Sequence, residues 1–115
     1  MVAREMPGAR MRRINETVRE ILGEAIATEL KDPRIGFVTV TEVDTSPDLR
    51  TARVYVSVLG PEEERADSLE GLRSAHGFLQ GKIASAMRMK RTPTLTFHYD
   101  ESVVRGDRIS RLLDE

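Results

Sequence analysis
The chain contains no cysteine and no tryptophan, and Phe and Tyr together supply only five of its 115 residues. Without a thiol, disulfide staples, thiolate zinc sites and cysteine catalysis are excluded, and the composition suits a reducing compartment. No apolar run approaches the roughly 20 residues that span a bilayer. Met1 to Arg13 has no apolar stretch of the signal-peptide kind, so the expected location is the cytoplasm, with no membrane partner. Histidine is scarce too. His76 and His98 fall in different predicted elements with no HExxH string around them, so no metal site is expected. No GxSxG, GxxxxGK[ST] or GxGxxG string occurs. Asp67, Ser74 and His76 are near one another in sequence, but helical chain splays them, and Glu62 to Glu64 reads as a helix start rather than a buried acid pair. No enzyme, no cofactor and no small-molecule substrate are expected.

What is present is enough for one compact domain, because a chain of this length buries roughly two-thirds of its unfolded surface. The reading is a single domain over 1–115, with 1–10 as a flexible basic arm and 100–115 as a C-terminal tail or short helix. The formal charge of -1 hides a segregated chain. Residues 1–13 carry a net of +3 and residues 14–72 a net of -7. Residues 73–99 carry Arg73, Lys82, Arg88, Lys90 and Arg91 with no acid at all. Segregated charge attracts a polyanion locally even when the total is near zero. Arg outnumbers Lys by 15 to 3, and guanidinium pairs with phosphate in a planar, bidentate way.

The periodicities give an ordered set of elements. Met11, Ile14, Val18, Ile21, Leu22, Ala25, Ile26 and Leu30 recur at helical spacing, which predicts a helix over 11–30 that Asp32-Pro33 stops. Residues 36–44 are rich in β-branched side chains and read as a strand. Residues 51–58 alternate cleanly, with Ala52, Val54, Val56 and Val58 on one face, and the turn cluster Thr45 to Asp48 makes the two strands an antiparallel hairpin. Pro61 followed by three glutamates is a helix start. That helix is predicted to reach Ser74, anchored by Leu69 and Leu72. A second helix is predicted over 77–89, with Leu79, Ile83, Ala86 and Met87 inward. Residues 94–99 alternate as a third strand, and 102–113 reads as a last short helix. Three strands with one wet face need helices on the other, so the class is α+β.

The junction Ala75-His76-Gly77 reads as a helix kink. Beyond it, Gly77, Gly81, Ala84 and Arg88 share one nearly bare helix face, opposite Leu79 and Ile83. Such a face admits a sugar-phosphate backbone, with flanking cations to neutralise it, or alternatively docks a partner helix. The candidate RNA-binding residues are Arg12, Arg13, Arg73, Gly77, Lys82, Arg88, Lys90 and Arg91, with Arg10 and Arg53 in second rank. Arg19 and Arg34 are expected to pair with Glu16, Glu20 or Asp32 instead. Among the strand rings Tyr55 alone is expected on the wet face, which disfavours a base-stacking platform.

Several strings resemble bacterial ribosome-binding factor A over nearly the whole chain. They are Arg12-Arg13-Ile14-Asn15-Glu16, Lys31-Asp32-Pro33-Arg34-Ile35, Val38-Thr39-Val40-Thr41-Glu42-Val43, Ala52-Arg53-Val54-Tyr55-Val56-Ser57-Val58 and Pro93-Thr94-Leu95-Thr96-Phe97. Asp100-Glu101-Ser102 with Arg105-Gly106 also fits. The resemblance implies a KH-like fold of type II topology. KH domains usually clamp backbone with a GxxG loop between two helices; this chain has none, and Ala75-His76-Gly77 matches the family's Ala-x-Gly kink instead. It further implies a monomeric, non-enzymatic assembly factor. Such a factor binds the free small (30S) ribosomal subunit and its 16S rRNA, assists late maturation and 5′-end processing of the precursor, and is tied to growth in the cold. A protein-interaction module and a ribosome-silencing binder are the competing classes.

Overall fold
The computed structural model describes residues 8–102. Helix α1 (Ala9–Thr28) leads into the hairpin β1 (Phe37–Thr45) and β2 (Thr51–Leu59), then α2 (Glu62–Ser74), α3 (His76–Met87) and β3 (Thr94–Tyr99). The sheet order is β1-β2-β3, with β1 antiparallel and β3 parallel to the central strand. All three helices cover one face. This is an α+β architecture, as expected from the order of the periodicities, and its topology is consistent with the KH-like type II fold that the resemblance implies. The short tail helix expected over 102–113 lies almost wholly outside the described residues.

The α1 stripe of Val18, Leu22, Ala25 and Ile26 is buried over β1 and against α3. The clean alternation of β2 places Ala52, Val54, Val56 and Val58 in the core, and Leu95 and Phe97 continue that face on β3. Leu72, Leu79 and Ile83 close the core from α2 and α3. Ala86, expected inward, is exposed, whereas Met87, expected inward with it, packs against the core. The stop of α1 comes at Thr28, before Asp32-Pro33, because the chain must already turn toward β1.

Alternation in β1 is broken by a bulge. Val40 pairs with Val56 and Glu42 with Tyr55, so Thr41 is the extra residue. The insertion lets both Val40 and Val43 point inward. The Thr41 hydroxyl lies 2.6 Å from an Asp100 carboxylate oxygen and 3.2 Å from the Tyr55 carbonyl. Asp100 also accepts a bond from the Ser102 backbone N–H at 3.0 Å, so it caps the turn that follows β3.

Two side-chain clasps fix the remaining elements. Asn15 on α1 accepts the Thr45 N–H at 3.0 Å, holding the end of β1. Gln80 on α3 bridges β3: its amide donates to the Pro93 carbonyl at 2.6 Å and its oxygen accepts the Leu95 N–H at 3.0 Å. Arg73 adds a bond to the Phe97 carbonyl at 2.8 Å. Gly71 marks a close approach of α2 to the preceding loop, since a Cβ there would stand 2.6 Å from Cγ1 of Ile35. Ser68, fully buried, accepts the Gly36 N–H at 3.0 Å beside it.

Candidate nucleic-acid interface
The turn of the hairpin, the start of α1 and the segment after α3 meet at one end of the molecule. A cleft of about 870 Å³ opens there, lined by Arg10, Ile14, Asp48, Leu49, Arg50 and the run Met87 to Arg91. Five cations therefore face a single carboxylate. The ion pairs among the described residues do not involve Arg10, Arg88, Lys90 or Arg91. Asp48 is held below the usual carboxylate range, first by the Ser46 hydroxyl at 2.6 Å and then by the Arg50 N–H at 3.1 Å. It stays ionised and braces the turn, while its contact to the Arg50 guanidinium is long, at 3.8 Å.

Backbone geometry aims these groups. Helix α3 ends two residues before the predicted Met89, because Arg88 turns left-handed at φ 49°. Glycine usually fills this position, and a side chain there costs roughly 1–2 kcal/mol. The reversal takes Arg88 off the helix face it was expected to share with Gly77, Gly81 and Ala84 and sends it to the cleft. Leu49, at φ 62°, is the other non-glycine left-handed residue among those described, and it lines the same cleft. The Thr94 N–H donates to the Arg50 carbonyl at 2.8 Å and ties the two loops together. Helix α1 begins at this end with Gly8 as its N-cap, no side-chain cap and no acid in its first turn. Arg10, Arg12 and Arg13 thus sit at the positive end of a helix dipole, where cations are unfavourable by some tenths of a kcal/mol and an anion is favoured.

The structure brings only part of the predicted set together. Arg10, Arg88, Lys90 and Arg91 share the cleft; Arg50, which sequence reasoning missed, joins them because the hairpin turn returns to this end. Arg12 and Arg13 are exposed on the first turns of α1. Lys82 lies elsewhere, 2.5 Å from Glu29 and over the Phe78 ring. Arg53 pairs with Asp44 at 3.5 Å on the sheet's open face. Arg19 bonds Glu16 and Arg34 bonds Asp32 at 2.6 Å, as expected, and Arg34 also reaches Glu70 on α2 at 3.3 Å, a pairing not expected from the sequence.

A second, smaller cleft of about 310 Å³ lies at the kink. Arg73 and His76 face Leu95 to His98 of β3 across it. Ala75 ends α2 and opens α3 at φ -88°, ψ 10°. Gly77 and Gly81 are exposed, and a Cβ on either would meet nothing within 4 Å, so among the described residues nothing covers the bare face. One expectation about the rings is corrected. Tyr55 is half-buried, its ring tilted against His98 with centroids 5.6 Å apart, whereas Phe37 is 79% exposed, because the alternation of β1 turns it to the open face of the sheet.

The family model for ribosome-binding factor A matches residues 10–113. The chain belongs to the ribosome-binding factor A family. Solved relatives agree over most of their length. A crystal structure of ribosome-binding factor A from Thermus thermophilus is 31% identical, with a TM-score of 0.69, over 77% of this chain and 93% of that one. A solution NMR structure of a putative ribosome-binding factor A from Thermotoga maritima is 36% identical, with a TM-score of 0.72, over 83% and 91%. A third, at 32% identity and a TM-score of 0.62 over 76% and 91%, is a homology model of the Thermus thermophilus factor fitted into a cryo-electron-microscopy map of its 30S complex. The chain carries its family's fold, with the kink at Ala75-His76-Gly77 and a cation-lined end. Among the described residues no helix is long and apolar enough to cross a membrane.

Proposed function
We propose that this chain is a cytoplasmic assembly factor that binds the free small ribosomal subunit as a monomer. It holds 16S rRNA through the cation end and assists late maturation, including 5′-end processing of the precursor, by binding rather than by catalysis. The observation that carries the reading is the meeting of Arg10 with Arg88, Lys90 and Arg91 in one cleft, from opposite ends of the sequence. Phosphates recognised there replace the counterions that rRNA otherwise keeps, so binding weakens as salt rises. The relative's complex with the 30S subunit supports the partner. The sheet offers no open row of aromatic rings, which favours recognition of shape and phosphate over bases.

Co-sedimentation with purified small, large and joined ribosomes across a salt series tests this reading. The expected result is binding to free small subunits that falls steeply with salt. A preference for joined ribosomes would point to a silencing factor. Binding to none of them would overturn the proposal and turn attention to a protein partner for the Gly77–Gly81–Ala84 face.

A further inference from the structure
The cleft at the hairpin turn is not lined by charge alone. Its exposed rim is cationic, but Ile14, Leu49, Met87 and Met89 also line it, and all four are half-buried. Ile14 and Met87 pack against the core, so they set the depth of the cleft. Leu49 is placed there by a braced turn. The Leu49 N–H donates to the Ser46 carbonyl at 2.9 Å, the Ser46 N–H to the Thr51 carbonyl at 2.8 Å, and the Thr51 N–H to the Ser46 hydroxyl at 3.1 Å. Those bonds hold Leu49 at φ 62°, a conformation that glycine takes without strain. Strained backbone persists where its surroundings over-determine it, and it gathers at binding sites. Here the strain presents an apolar side chain among arginines.

Phosphate alone does not account for such a lining. A duplex offers the cleft its charged ridge and keeps its bases stacked inside, so the apolar floor would lose water and gain no partner. A volume of about 870 Å³ lies within the range of roughly 300–1,000 Å³ that receives a small organic ligand. We infer that the cleft receives one unpaired nucleotide of RNA, its base laid on Leu49 and Met89 and its flanking phosphates on the arginine rim. The inference deepens the functional reading above and rests on it. Only a nucleic acid sets a flat conjugated ring between two phosphates. Thioether sulfur is polarisable and favours contact with such a ring, and guanidinium planes stack on bases. The Asp48 carboxylate is engaged by the Ser46 hydroxyl and the Arg50 N–H, so the base is held by its faces rather than read at its edges. The site lies at the far end of α3 from the Ala75-His76-Gly77 kink, about 17 Å away at 1.5 Å per residue.

Binding of the full chain to an unstructured RNA strand, to the same strand in a perfect duplex and to an abasic sugar-phosphate strand tests this. The unpaired strand is expected to bind about tenfold more tightly than either of the others, the scale of one stacked base. Leu49→Gly removes the floor and the strain together. It is expected to melt higher than the parent, to lose most of that tenfold preference and to keep the parent's salt slope, because no cation has gone. Leu49→Met keeps an apolar side chain and is expected to bind as the parent does. Binding to none of the three probes, equal affinity for them, a preference for the duplex, or an unchanged preference in Leu49→Gly overturns the inference. So does tighter binding of a glutamate-rich peptide bearing leucines, which would make the occupant a protein. Sedimentation with small subunits is read separately: if it fails while the preference for the unpaired strand stands, the functional reading falls and the cleft keeps its ligand.

Discussion
One hairpin joins two ends of opposite chemistry. At the turn, Arg10, Arg50, Arg88, Lys90 and Arg91 gather around Asp48, two residues hold left-handed backbone, and a helix begins without an acid. At the strand ends, Phe37 and Leu59 stand in solvent, a run of glutamates opens α2, and the nearby cations are already engaged. The difference shows how a nearly neutral chain presents a strong local field. The hairpin holds the two sets about 27 Å apart, more than twice the screening length of roughly 8 Å at physiological salt. Each end therefore meets its surroundings independently.

The comparison is broken most severely by emptying the cation end. Arg88→Ala with Arg91→Ala is expected to lower the slope of log affinity against log salt by about 1–2, at the rate of roughly 0.7–0.9 for each phosphate no longer neutralised. Thermal stability stays near that of the parent, because neither side chain takes part in an ion pair among the described residues. A fall in stability with an unchanged slope would make both residues structural. The next effect is on the scaffold. Gln80→Ala releases the Pro93 carbonyl and the Leu95 N–H and is expected to cost about 1–3 kcal/mol in denaturant unfolding. Faster amide exchange at Leu95 would locate the loss at β3.

Arg88→Gly sharpens the comparison further, because it separates charge from conformation. Glycine takes φ 49° without the penalty of a Cβ, so stability is expected to rise by about 1 kcal/mol while small-subunit binding falls as in Arg88→Ala. A thermal melt beside a binding titration checks both. The smallest effect concerns His98, which lies between the two ends. Burial, then Arg73 and Arg53, hold its pKa below 6.5. Protonation is thus disfavoured in the folded state. Its stabilising contribution is present above the unfolded pKa and is lost as pH falls through the lower, folded one. His98→Gln is expected to flatten the fall in unfolding midpoint between pH 7.5 and 5.

Much of the scaffold was legible in the residues. The two-residue period of Ala52, Val54, Val56 and Val58 and the stripe of Val18, Leu22, Ala25 and Ile26 are local patterns, and local patterns survive into the fold. Pro61 with three glutamates marked α2 for the same reason. The bulge at Thr41 was not legible, because it answers to Asp100 and Tyr55, far along the chain. Nor was the reversal at Arg88, where no glycine advertises the end of α3. The cleft was half legible: acid-free composition pointed to Arg88, Lys90 and Arg91, but only the hairpin register adds Arg50. Lys82 shows the converse, since its partner Glu29 comes from the far end of α1.

The Gln80 clasp guards a sheet edge when the protein is concentrated. A side-chain amide has the same donor and acceptor as a peptide unit, and Gln80 spends both on the free edge of β3. A strand from another molecule would have to displace it to extend the sheet, and would then meet Arg73 at Phe97. The far edge, β1, is interrupted by its bulge. Neither margin offers a flat, unbroken template, so the fold resists growing into a continuous sheet, and partners must engage it through side chains.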